Sequence, residues 1–177
     1  NGELLNQLTS KDIIFNFRQN DILNGGQGAP LTPVFHNLIS RKNGIRLPVC
    51  FLNIGGISNI TIVKERENLS KLISKDIGPG NCLIDAWVRE NSNKKFDQAG
   101  NLASIGIKNE IIFEQAQELY ANRNNKKKLS FDVNDFDISF ARGLSLEDGV
   151  TTLTDFTASI IGEQLSLSLK EFKENTL

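Results

Sequence analysis

Asp21 is the carboxylate in this chain best placed to do chemistry. It lies in Arg18 to Gly28 (RQNDILNGGQG), a loop-like stretch with three glycines in its last four residues and Arg18 three positions before the aspartate. A carboxylate held in a loop beyond a strand can act as a general base, and ligands in α/β folds favour such loops. A surface aspartate with no chemical role fits the same residues. A second candidate is LNIGGISN, Leu52 to Asn59. Gly55 and Gly56 there can take φ > 0 and let another group approach bare backbone, while Asn53 and Asn59 carry amides that donate and accept. A tip of this kind can present N–H groups to an anion; an ordinary tight hairpin fits equally well. The third is Asp76 to Asn81 (DIGPGN). Read as a rigid turn before a helix, with Gly78 and Gly80 beside Asn81, it offers backbone N–H groups that suit a phosphate or a sugar hydroxyl. A simple turn fits it too.

Other chemistries lack their residues. His36 is the only histidine and lies off the apolar stripe of its expected helix, which favours a solvated or capping role over catalysis. Cys50 and Cys82 are too few for a disulfide framework and are not at metal spacing, so no metal site is assigned. No Gly-x-Ser-x-Gly or Walker-type loop is present. The net charge of −1 leaves no electrostatic footprint for nucleic acid or an anionic membrane. No apolar run approaches the roughly 18 residues of a membrane span. The absence of methionine and the opening on Asn1 imply a segment of a longer protein, or a remnant of a decayed one.

The elements that must position these residues can be read from patterning. Asn1 to Ser10 reads as the end of a helix or a loop. Asp12 to Phe17 (DIIFNF) reads as a buried strand. Pro30 and Pro33 can start a helix whose apolar stripe is Val34, Phe35, Leu38 and Ile39, ending at Asn43-Gly44. Val49 to Ile54 and Ile57 to Val63 read as two strands of a hairpin across Gly55-Gly56. Leu69 to Lys75 is a short strand or a turn of helix. Asn81 is a candidate N-cap for a helix over Cys82 to Asn91, with Asp85 in its first turn and Leu83, Ile84, Trp87 and Val88 on one face. Ser92 to Gly106 is loop-rich, and Glu110 to Asn122 is an amphipathic helix. Asn122 to Lys128 is a solvated basic loop, and Thr152 to Glu174 is a long terminal helix.

Four stretches together resemble one family, the anhydro-N-acetylmuramic acid kinases: Phe17 to His36 (FRQNDILNGGQGAPLTPVFH), Leu52 to Thr61 (LNIGGISNIT), Asp76 to Val88 (DIGPGNCLIDAWV) and Phe96 to Gly106 (FDQAGNLASIG). Their order and spacing match as well. The resemblance covers most of Phe15 to Gln164 and weakens between Ile107 and Lys128. It implies an α/β chain that is part of a two-lobed actin-like ATPase or sugar kinase fold, with mixed sheets and flanking helices. Residues 1–48 would end the N-terminal lobe and 49–177 would begin the C-terminal lobe. Asp21 would match the catalytic aspartate, which activates water to open the 1,6-anhydro ring of the amino sugar. Gly55, Gly56, Asn59, Gly78, Gly80 and Asn81 would face ATP. ATP and Mg²⁺ are the implied cofactors. The implied setting is cytoplasmic and bacterial, in peptidoglycan recycling, with a homodimer for the full-length family.

The chain departs from the family's pattern. The family's N-terminal GTSxDG loop and C-terminal CGGG stretch do not occur in it. Lys128 to Phe136 (KLSFDVNDF) resembles a PKSxDRNDF-like run, with Leu129 and Val133 where the family usually has Lys and Arg; losing two cations would weaken anion binding. Asn16 replaces a common acidic residue. The resemblance implies a kinase segment inactive by itself. A degenerate remnant and a sugar- or nucleotide-binding regulator of the same superfamily are the alternatives.

Overall fold

The computed structural model describes residues 1–26, 28, 31–123 and 131–174. Its sheet has three strands, β1 (Val49–Ile54), β2 (Ile57–Val63) and β3 (Ile73–Pro79), in that spatial order. The expected hairpin forms with the expected limits, Val49 opposite Val63 and Ile54 opposite Ser58. Both pairings are antiparallel, where mixed sheets were expected. β3 runs through Pro79, so most of Asp76 to Asn81 is strand rather than turn. A proline at the end of an edge strand removes no ladder bond that the sheet needs. Leu69 to Lys75 divides into a 3₁₀ turn at Leu69–Lys71 and the start of β3.

Two small cores hold the helices to this sheet. Alternate residues of a strand share a face, and Ile60 and Ile62 of β2 pack with Ile77 and Ile161. The second core joins α4 (Cys82–Asn91), α5 (Glu110–Arg123) and α6 (Leu146–Glu174). Leu83, Trp87, Val88, Ala116, Val150, Leu153, Phe156 and Ile160 are buried together there, each large side chain contributing about 1.5–3 kcal/mol by leaving water. α4 has the limits expected from its apolar face. α6 starts six residues before the expected Thr152, because Gly149 looks like a break in sequence but is a helical residue lying against the Trp87 ring. The basic run expected to be a solvated loop lies, from residue 124 on, outside the described residues.

The N-terminal third departs most from expectation. α1 (Gly2–Thr9) is capped by Asn1, whose Oδ1 accepts from Glu3 N at 3.0 Å. Asp12 to Phe17 is not a strand: Ile14 is 80% and Phe17 67% exposed. Asn16 there has φ 63°, which breaks an extended run. Arg18 to Gly28 contains a short helix, α2 (Gln19–Leu23), rather than loop alone. α3 (Pro33–Lys42) starts on proline as expected but turns the other way. Val34, Phe35 and Leu38 are exposed, while Asn37 and Ser40 are buried. The inward polar face is held by specific bonds: Asn37 Nδ2 donates to Arg66 O at 3.0 Å, and Arg66 Nη2 to Ile45 O at 2.7 Å.

His36 also faces inward, which replaces the expected solvated or capping role. Its ring stacks on Phe51 with centroids 4.8 Å apart, and its Nδ1 is buried with no partner among the described residues. Desolvation lowers its pKa from 6.5. The unfolded chain therefore takes the proton first, and stability falls as pH drops below about 6.5. His36→Phe keeps an aromatic ring against Phe51 and removes the titration. The acid side of its stability curve, read by chemical denaturation at several pH values, should be flatter than the parent's. Parallel curves would remove His36 as the cause.

Candidate active site

The loop around Asp21 is organised by that side chain. Asp21 Oδ2 accepts from Gly28 N at 2.7 Å, and Asp21 O accepts from Gly26 N at 2.7 Å. A Cβ on Gly26 would collide with the carboxylate itself. Gly28 is buried at φ +68°, a conformation costly for residues with a Cβ. These two glycines are thus explained by the aspartate they enclose. Asp21 is exposed, and among the described residues its Oδ1 has no hydrogen-bond partner. One carboxylate oxygen is fixed and the other can take a proton from a ligand or a water. Among the described residues all of Asp21's hydrogen bonds lie within its own loop, and none reaches the hairpin tip.

Gly55, Gly56, Gly80 and Asn81 are brought together. Gly80 N donates to Gly56 O at 2.9 Å, Asn81 N to Gly55 O at 2.7 Å and Cys82 N to Gly56 O at 3.2 Å. The amides expected to face an anion are instead donors to the hairpin carbonyls. Gly80 is buried, and a Cβ there would strike Gly55 O. Gly78 is also buried, where a Cβ would come within 2.7 Å of Ile160 Cγ2. Both are close-packing positions. Asn81 precedes α4 as expected but makes no side-chain cap; its φ of −78° and ψ of −7° are helical, whereas a capping residue is usually extended. Its exposed side chain is left uncommitted to the helix.

Gly55 and Gly56 themselves differ from the positive-φ turn expected. Neither has positive φ. A Cβ on Gly56 would meet nothing within 4 Å, and one on Gly55 only ordinary contacts, the nearest Ile57 O at 3.6 Å. Among the described residues nothing requires glycine at either position.

Asn59 sits at a bulge. Ser58 pairs with Gly78 and Asn59 with Asp76, leaving Ile77 as the extra residue of β3. Asn53, Asn59 and Asp76 therefore form a polar row across the three strands. Asp76 Oδ2 accepts from Phe131 N at 2.9 Å, which docks the DVNDF segment beside that row. Asp132 and Asp135 cap each other across a 3₁₀ turn there. Val133 is exposed, whereas Leu129 lies outside the described residues. Asp76 was quoted in sequence without a role; its alternation with Asn53 and Asn59 across paired strands was the available signal.

Several other groups are structural. Asp97 accepts from Leu102 N at 2.8 Å and Ala103 N at 3.0 Å, closing the FDQAGN loop. Cys50 and Cys82 are free, and burial raises both thiol pKa values, which keeps them protonated and poorly nucleophilic. Among the described residues no three His, Cys, Asp or Glu side chains gather to hold a metal ion. A Mg²⁺ that arrives on nucleotide phosphates needs no such cage, since phosphate oxygens and water supply most of its ligands. Among the described residues no helix is long and apolar enough to cross a membrane.

Comparison with known proteins gives one answer throughout. The family described as anhydro-N-acetylmuramic acid kinase matches residues 1–177, beyond the limits the sequence motifs outlined. A protein of that name from Pelagibacter ubique is 50% identical over 176 residues, covering 99% of this chain and 47% of the relative. One from Methylobacterium nodulans is 36% identical over 94% of this chain and 44% of its own length. One from Zymomonas mobilis is 38% identical over 93% of this chain and 44% of its own length. The chain spans about half the length of the curated relatives it matches.

Proposed function

This chain belongs to the anhydro-N-acetylmuramic acid kinase family, and we propose that it carries the catalytic aspartate and one phosphate-facing wall of an ATP-dependent 1,6-anhydro-N-acetylmuramic acid kinase. The observation that carries this reading is the Asp21 loop, in which Gly28 N holds one carboxylate oxygen while, among the described residues, Oδ1 accepts no hydrogen bond. Asp21 takes a proton from water as the water oxygen bonds to the anomeric carbon. The C1–O6 bond breaks, and O6 takes the γ-phosphoryl of ATP, releasing ADP. The product is N-acetylmuramic acid 6-phosphate. Mg²⁺ bound to the phosphates would neutralise charge as it does in phosphoryl transfer generally.

In this reading residues 1–48 end one lobe and 49–177 begin the other, with ATP and the sugar between them. Gly55 and Gly56 are glycine because a phosphate approaches the tip. Asn59 and Asn81 supply amides at its border, while Gly78 and Gly80 shape the wall by close packing. Turnover would need the GTSxDG loop and the CGGG stretch that the family resemblance implies for the ATP site.

The test uses a full-length enzyme in which these 177 residues replace the matched segment of the Pelagibacter ubique relative. Mass spectrometry of the sugar product should show the gain of one water and one phosphoryl group. Phosphorylated sugar without added water would overturn the ring-opening step. Sugar binding without any product would support the regulator reading instead. Gly56→Ala in this graft tests the tip separately. Open space at Gly56 should keep stability within about 0.5 kcal/mol. KM for ATP should rise roughly tenfold or more, the loss of about 1.4 kcal/mol of binding. An unchanged KM for ATP would remove Gly56 from the site.

A further inference from the structure

We infer that Arg18 is a positioning residue for Asp21, acting through the peptide groups of Gly28. The inference rests on the reading of Asp21 as the general base. Arg18 Nε donates to Gly28 O at 2.7 Å, and Gly28 N donates to Asp21 Oδ2 at 2.7 Å. The guanidinium and the carboxylate thus hold the two polar ends of one glycine, and no direct ion pair joins them among the described residues. α2 sets their spacing, because residues three apart on a helical turn lie on the same side, and Ile22 N donates to Arg18 O at 3.1 Å.

Gly28 is confined on its other side as well. A Cβ there would lie 3.0 Å from Ile22 Cδ1 and 3.2 Å from Arg18 Cβ. The residue is wedged between the side chain of Ile22 and the stem of Arg18. Its carbonyl is where Arg18 ties the end of the described glycine-rich segment back to the start of α2. Glycine backbone has the most conformational freedom to lose, so without that tie the N–H holding Oδ2 would wander. A displacement of about 1 Å in a reacting group can cost about 100-fold in rate. Arginine suits the task because its Nε–H is fixed in the guanidinium plane, whereas a lysine ammonium is a flexible point donor.

The experiment compares Arg18→Met, Arg18→Lys, Asp21→Asn and the Arg18→Met/Asp21→Asn double variant in the grafted full-length kinase. Arg18→Met should lower kcat about 100-fold, with KM for ATP and for the sugar within about threefold of the parent. Arg18→Lys should recover part of that loss. The double variant should be no slower than Asp21→Asn, because a residue that acts only through Asp21 has nothing left to position. If the methionine variant melts below the assay temperature, the lysine variant and its own double with Asp21→Asn carry the comparison. Arg18 variants with kcat within about threefold of the parent, or a double variant that loses the full single-variant factor again, would overturn the inference. Near-parental turnover by Asp21→Asn would overturn the general-base reading instead, so the two failures are distinguishable.

Discussion

Asp21→Asn is expected to lower kcat for sugar-dependent ADP release by about 10²–10⁴, the usual contribution of a positioned acid or base. The substitution is nearly isosteric. The amide oxygen of asparagine can still accept from Gly28 N, so the loop should keep its shape. What is lost is basicity at the open oxygen. KM for ATP should stay within about twofold, because among the described residues all of Asp21's hydrogen bonds lie within its own loop and none reaches the hairpin tip. Asp21→Ala should be as slow but should also loosen the loop, since the anchor for Gly28 N disappears. Steady-state kinetics of the two variants, with thermal melts alongside, separates chemistry from loop order. Turnover by Asp21→Asn within about tenfold of the parent would contradict the role given to this residue.

The second large effect concerns folding. Trp87→Ala should cost about 3–5 kcal/mol, the range for deleting a large aromatic from a core. Trp87 is 3% exposed and packed where α4 meets α6. Its indole Nε1 donates to Leu146 O at 3.1 Å, in the first turn of α6. Its ring covers Gly149, which cannot fill the space left behind because it has no side chain. Few domains have more than about 5–15 kcal/mol of stability in total, so this one change removes a large share. The midpoint of a circular dichroism melt should drop by roughly 10 °C or more, at about 2–4 °C per kcal/mol for a chain of this size. Trp87→Phe should lose much less, chiefly the indole hydrogen bond. An alanine variant melting within a few degrees of the parent would show that the α4–α6 contact does not govern stability.

The fold was legible where apolar patterning and glycine placement agreed. The hairpin over Val49–Ile54 and Ile57–Val63 and the helix over Cys82–Asn91 were readable because alternation, glycines and an apolar face all pointed one way. Legibility failed where tertiary contacts overrode local signals. Asp12 to Phe17 has strand composition but gains no ladder partner. The DIGPGN turn residues are drawn into β3 by pairing with β2 through a bulge at Ile77. α3 buries Asn37 and Ser40 because the backbone carbonyls of Arg66 and Asn37 accept from their side chains, a choice no apolar count reveals.

The candidate site divides in the same way. Asp21 was singled out by residue type and glycine context, and the structure places it in a loop where Gly26 and Gly28 close around it. The bonds that tie Gly28 to both Arg18 and Asp21 were not legible, because they depend on one glycine's positive φ. Gly78 and Gly80, expected to face ATP, pack closely against Ile160 and Gly55 O, and sequence cannot distinguish a glycine that receives a ligand from one that receives a side chain or a carbonyl. Gly55 and Gly56 invert that case: their own chain leaves them unexplained, which is why a bound phosphate is the proposed reason.

The most direct test of the central claim is ADP release by the unmodified graft, with ATP and Mg²⁺, in the presence and absence of 1,6-anhydro-N-acetylmuramic acid. The account predicts ADP release that requires the anhydro sugar and saturates with it. A folded graft that binds ATP yet releases no more ADP with the sugar than without it would contradict the assignment of this chain to a working kinase.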